Sequence, residues 1–172
     1  MNDLTKEKSC AITNPANSQL RNGKGAALSI KNAAGKEFQD ECNEYIKING
    51  PIPVGSAAAT SAGKMRDVKF IIHAVGPMYK NYDEYTNHQL LQSVVLNILQ
   101  RSKELGIEVV SIPAISSGLF GFPKEKCAEI MLRYTTAWFL RGKCGKVKCV
   151  RMCNFDKSTV NVFLNEMEIM EV

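Results

Sequence analysis

Residues Ile112–Pro123 read IPAISSGLFGFP, between an apolar pair, Val109–Val110, and a stretch patterned as a helix. In an open α/β sheet the ligand crevice lies beyond the carboxyl ends of the strands. Small, bendable backbone at that place lets N–H groups approach an anion, and a following helix adds the positive end of its dipole. A second segment of the same kind, Asn14–Ala27 (NPANSQLRNGKGAA), follows another apolar run. Taken singly, each set of glycines is explained by a simple change of chain direction. Facing each other, two such loops would hold a diphosphate.

Outward from these loops, short apolar runs alternate with longer helical patterns, which marks a mostly parallel sheet covered by helices. Strands are expected at Cys10–Asn14, Lys69–Val75, Val109–Ile115 and Val147–Asn154, with a weaker one at Ser56–Ser61. Between Asn87 and Leu105 the residues Leu90, Leu91, Val94, Val95, Ile98 and Leu99 fall on one helical face, and Gly106 ends the pattern. Further helices are expected over Ala26–Lys47, broken near Gly35, and over Lys124–Ala137 and Ser158–Met170. Pro123 suits a first helical turn and Ser158 a helix N-cap.

The chain has 172 residues, of which 45% are hydrophobic. That suffices for one α/β domain over residues 1–172 with its own core. No apolar run reaches the roughly 20 residues that span a bilayer. The start, MNDLTKEKSC, lacks the apolar core of a signal peptide, so the expected location is nuclear or cytoplasmic. The six cysteines form no CxxC pair, and His73 and His88 are the two histidines, so no metal site is expected and the thiols read as reduced and packed. The net charge of +5 favours anionic partners only weakly. The basic run Arg141–Lys148 (RGKCGKVK) reads first as a solvated loop, so nucleic acid is not the expected partner. His73, inside the strand pattern KFIIHAVGP, reads as a structural histidine.

Common phosphate motifs are missing. Ala58–Met65 (AATSAGKM) comes nearest to a P-loop but has alanine for the first glycine and methionine for the magnesium-binding hydroxyl, and no GxGxxG occurs. In combination, however, ITNPANSQL with its glycine loop, NAAG at Asn32–Gly35, IIHAVGP at Ile71–Pro77 and IPAISSGLFGFP resemble a macrodomain, in order and over nearly the whole chain. NPxN, GKEF and the late Phe155–Asp156 pair are similar to macro-containing histone variants, and the start of the first helix is similar to macro-containing ADP-ribosyltransferases.

The resemblance implies a three-layer α/β/α fold around a central mixed, mostly parallel sheet, and a pocket for ADP-ribose, with no cofactor. Asp3 matches the aspartate that accepts a hydrogen bond from the adenine amino group, and Leu4 its apolar neighbour. Phe155 matches the aromatic against the adenine face, with a core phenylalanine as the competing reading. Asn17 matches an asparagine at the distal ribose, its competing reading a turn-forming residue. The diphosphate would lie between Gly23, Lys24, Gly25 and Ala26 on one side and Ser116, Ser117, Gly118, Leu119, Phe120 and Gly121 on the other. Ser116 or Ser117 would add a hydroxyl, and Phe120 would pack near the distal ribose. The implied partner is free ADP-ribose or an ADP-ribosylated protein, and a monomer is expected.

Three departures bear on function. One class of family hydrolases carries an aspartate where this chain has Ala27, so that general base is missing, although other macrodomains with alanine there are associated with removal of mono-ADP-ribose. Asn22 and Lys24 interrupt a run of glycines, and Lys24 would either add charge to a diphosphate or crowd the distal ribose. Family members usually place a strand before the Asp3 segment, whereas this sequence begins at Met1–Asn2–Asp3, so the expectation is a sheet edge missing or supplied differently, which would leave Asp3 frayed. The expectation is a binding module. The alternatives are a mono-ADP-ribosyl-protein hydrolase using Asn17 and a loop-held water, and, third, an interaction surface built on Arg141–Lys148.

Overall fold

The computed structural model describes residues 1–171. A five-stranded sheet has the order β2-β3-β1-β4-β5, where β1 is Ala11–Pro15, β2 Ala57–Ser61, β3 Phe70–Ala74, β4 Val109–Ile112 and β5 Cys149–Met152. β1 runs parallel to β3 and β4, β4 parallel to β5, and β2 antiparallel to β3. Side chains alternate across a strand, so adjacent residues feed opposite layers. Ile71 enters the core with Ile12, Ile30 and Phe38, whereas Ile72 joins Leu91, Val95, Ile98 and Met131 on the other face. Because both faces are covered, these parallel strands read as continuous apolar runs.

Helices α1 (Gly25–Ala34) and α2 (Lys36–Asn49) cover one face. Helices α3 (Glu84–Glu104), α4 (Lys124–Leu140) and α5 (Lys157–Met170) cover the other. The result is the expected three-layer α/β/α fold with a mixed, mostly parallel sheet. Burying a side chain such as Phe38 or Ile98 contributes about 1.5–3 kcal/mol each.

The expected elements are all present, with shifted ends. α3 begins at Glu84 rather than Asn87, because Asp83 accepts a hydrogen bond from the Thr86 N–H at 2.7 Å. α5 is capped by Asp156, not Ser158: its carboxylate accepts from the Thr159 N–H at 2.8 Å. Pro123 is the N-cap of α4 rather than part of its first turn. β4 stops at Ile112 instead of Ile115, since Pro113 has no N–H for the ladder.

β1 sits between β3 and β4, so the chain reverses its direction of travel across the sheet at β1. The loops following β1 and β4 therefore emerge side by side at the carboxyl edge, the position where open α/β sheets bind ligands.

Candidate functional site

A cavity of about 830 Å³ opens at this edge. One wall is the start of α1. Lys24 is its N-cap, extended at φ −147° and ψ 158°, and its side chain makes no capping bond. Gly25 follows at φ +56°, in the left-handed region that favours glycine. The first-turn N–H groups of Gly25, Ala26 and Ala27 have no intrahelical acceptors and stand at the positive end of the helix dipole, beside the cavity.

The facing wall is the loop Pro113–Phe122. It is folded by bonds from Ser117 N–H and Oγ to the Ala114 carbonyl (3.3 and 2.9 Å), from Gly121 N–H to Gly118 O (3.0 Å) and from Phe122 N–H to Ser116 O (2.9 Å). Among the described residues, the N–H groups of Ser116, Gly118, Leu119 and Phe120 have no protein acceptor. A curl of free amides of this kind binds anions. Ser116 has φ +65°, and its buried hydroxyl has no hydrogen-bond partner among the described residues. Ser117 spends its hydroxyl inside the loop, and Ser116 Oγ is buried against Gly76, so the loop meets the cavity with its backbone N–H groups.

The turn also depends on Gly76, at the end of β3. A Cβ there would lie 2.1 Å from Ser116 Oγ and 2.7 Å from Ile115 Cγ2. No larger residue fits without moving the loop.

The third side is the N-terminal segment laid against the exit of β5. Asn2 N–H donates to the Asn154 carbonyl at 3.0 Å, and its side-chain amide donates to Glu7 Oε1 at 2.6 Å. Buried Glu7 in turn accepts from Ser111 Oγ at 2.9 Å. Asp3 is not frayed: its Oδ1 accepts from Thr5 N–H at 2.9 Å and Thr5 Oγ1 at 2.8 Å, which closes a 3-10 turn over Leu4–Lys6. Phe155 is 78% exposed at the rim, so it is no core residue.

Two carboxylates and two ammonium groups line the cavity: Asp3, Asp156, Lys24 and Lys124. Bonds from the Thr5 hydroxyl and N–H hold Asp3 below its ordinary pKa, and the Thr159 N–H and hydroxyl do the same for Asp156, with Lys124 adding to the effect at 3.4 Å. Both are thus firmly ionised at neutral pH and poor proton acceptors there. Cys153 also lines the site, but burial first, then the Glu7 charge, pushes its thiol up to about 12. Among the described residues no cluster of His, Cys, Asp and Glu could hold a metal ion, and no helix is long and apolar enough to cross a membrane.

The cavity brings together Asp3, Leu4, Lys24, Gly25, Ala26, Ser116, Ser117, Gly118, Leu119, Phe120 and Phe155. Asn17, Gly23 and Gly121 do not line it. The Asn17 amide closes its own loop, with Oδ1 accepting from Gln19 and Arg21 N–H (3.1 and 3.0 Å) and Nδ2 donating to Arg21 O (2.9 Å). Gly23 N–H is turned toward Arg21 O at 2.9 Å, and Gly121 is tied back to Gly118. Asn22 is not part of a glycine wall but is buried beneath the loop. Sequence reading missed Gly76, Lys124 and Asn154, whose Oδ1 accepts from Ala114 N–H at 2.9 Å. The glycine of the strand-ending VGP was the available sign for Gly76. His73 lies outside the cavity, fully buried, contacting Asn14 Nδ2 at 3.1 Å and Thr60 Oγ1 at 2.9 Å.

A model of the Macro domain family matches residues 13–131. An uncharacterised protein of Thermotoga maritima is 35% identical over 97% of the chain, and the mouse protein mono-ADP-ribosyltransferase PARP9 is 35% identical over 96%. The chain spans only 28% and 19% of their lengths. The O-acetyl-ADP-ribose deacetylase of Escherichia fergusonii is 34% identical over 81% of the chain and 77% of its own length. Among solved structures, the Oceanobacillus iheyensis macrodomain with ADP superposes with a TM-score of 0.92 at 29% identity, covering 99% of this chain and 89% of that one.

Proposed function

The chain belongs to the Macro domain family, and from that premise we propose that it is a module that binds ADP-ribose, free or attached to protein. The observation that carries this reading is the convergence of two unpaired amide walls, at Gly25–Ala27 and Ser116–Phe120, on one cavity whose third side bears a carboxylate and an exposed aromatic ring. The diphosphate would accept from both walls, with Lys24 beside it. At the third side the Asp3 carboxylate suits an exocyclic amine donor, and Phe155 offers a face for the adenine. Stacking of a base on such a ring contributes about 1–3 kcal/mol.

Calorimetric titration with ADP-ribose, ADP and AMP tests this. Saturable binding should be tightest for ADP-ribose, and Phe155→Ala should weaken it about tenfold or more. Absence of binding to all three ligands would sink the proposal.

A second reading, removal of mono-ADP-ribose from protein, draws on the 34% identity to an O-acetyl-ADP-ribose deacetylase. Against it, Ala27 offers no carboxylate, Asp3 and Asp156 are poor bases, and the Asn17 amide is occupied within its loop. Incubation with a mono-ADP-ribosylated protein should leave the modification intact. Release that is lost in Asn17→Ala would reverse the order of the two readings.

A further inference from the structure

The wall at α1 is delivered by a strained loop. Leu20 adopts φ +52°, a conformation that a residue with a branched side chain rarely takes, and its side chain is fully buried. Its carbonyl oxygen accepts two side-chain donors: Gln39 Nε2, from α2, at 3.0 Å, and Asn22 Nδ2 at 3.1 Å. The same Asn22 amide nitrogen donates to Gln39 Oε1 at 3.1 Å, so Gln39 grips the loop with both ends of its amide. Asn22 Oδ1 accepts from Asn14 Nδ2 of β1 at 2.9 Å, and Asn14 reaches His73 of β3 at 3.1 Å. A continuous chain of hydrogen bonds, partly buried at Gln39 and buried beyond it, thus runs from α2 through the loop into the sheet. Only Gly23 separates Asn22 from Lys24, where the cavity wall begins.

We infer that Gln39, working through Leu20 and Asn22, is a positioning residue for ligand binding: it holds the loop after β1 in the one conformation that aims the first turn of α1 at the cavity. Gln39 does not line the cavity, so it touches no ligand there. Its side chain neither fills the core nor bears charge; besides a bond to Asn43 Oδ1 within α2 at 3.0 Å, it meets the loop at Leu20, which holds the left-handed φ, and at Asn22. The inference rests on the ADP-ribose reading for its functional consequence, and on the loop alone for its structural one.

Two variants test it. Gln39→Met keeps the length and removes both loop bonds together with the bond to Asn43. Gln39→Glu still accepts from Asn22 but faces the Leu20 carbonyl with a second acceptor instead of a donor. Hydrogen exchange of the backbone amides in residues 17–27 should accelerate in both variants, while β1 and β3 keep their protection. Affinity for ADP-ribose should fall about tenfold, with affinity for AMP, which lacks the second phosphate and the distal ribose, within about twofold of the wild type. A merely structural role would weaken both ligands alike, and that result would overturn the inference, as would unchanged exchange in the loop. If wild-type protein binds no ADP-ribose, the functional proposal falls and the exchange data alone decide whether Gln39 sets the loop.

Discussion

Lys24 shows how one side chain alters a site whose backbone does most of the binding. It caps α1 without a capping bond, it is exposed, and it makes no ion pair among the described residues. Its sequence position left two readings open, added charge or obstruction. Its place beside the unpaired amides of Gly25–Ala27 favours the former, because a free ammonium group on a flexible stem can move toward an anion. Lys24→Ala should weaken ADP-ribose binding several-fold at low salt, and the gap should close near 1 M salt, where the screening length shrinks to about 3 Å. Titrations at two ionic strengths check this; tighter binding by the variant at both would establish obstruction. Backbone contributions such as Gly25, at φ +56°, are legible from glycine itself. Those of Ser116, at φ +65°, are not, since serine gives no sign of a left-handed conformation. The same limit hid the inward turn of Asn17, whose amide can serve a ligand or its own loop equally well.

At the scale of elements, α5 gives a measurable case. Its N-cap, Asp156, also pairs with Lys124, which opens α4, so one carboxylate joins two helix starts at the cavity rim. Asp156→Ala should cost about 1 kcal/mol, whereas Asp156→Asn, which still caps, should lose only the contribution of the charge at neutral pH. The Asp156 carboxyl titrates below its usual 3.8, held down by the Thr159 bonds and then Lys124. A depressed carboxylate stabilises the fold above its unfolded value, so its contribution is present above about pH 4 and is lost as the pH falls through the folded value. Denaturation of wild type and Asp156→Asn should therefore converge in acid; a constant difference down to pH 2.5 would contradict the assignment. The sequence placed this helix correctly but its cap wrongly. Ser158 and Asp156 are both good caps two residues apart; Asp156 takes the role through Thr159 and also pairs with Lys124, a residue remote in sequence. β4 and α3 are recognised by pattern, while their ends are set by single adjacent residues, Pro113 and the Asp83 cap, that the apolar periodicity does not register.

For the whole molecule, the layer arrangement was legible because apolar runs and helical periodicity alternate along the chain. What the sequence could not display is the polar chain buried between α2 and the sheet, which links Gln39, Asn22, Asn14, His73 and Thr60 over a wide span of sequence. That chain has a consequence for global stability. Burial pulls the His73 imidazole down from 6.5 to about 3, so the folded protein keeps it neutral throughout the mildly acidic range. The unfolded chain, with an ordinary histidine, takes up a proton below about pH 6.5. The unfolded state then binds more protons than the folded one, and stability must rise with pH across that window and fall as the solution is acidified. The slope approaches about 1.4 kcal/mol per pH unit from a single histidine. Depressed carboxylates such as Asp3 and Asp156 act only at lower pH, so the interval from pH 6.5 to 5 isolates the imidazole. Urea denaturation at half-unit steps should show unfolding free energy level at about pH 7.5 and declining below 6.5. In His73→Gln the decline over that interval should vanish, even though total stability drops through the altered contacts with Asn14 and Thr60. Equal declines in both proteins would mean that His73 is protonated in the folded state, and that the buried chain carries a charge.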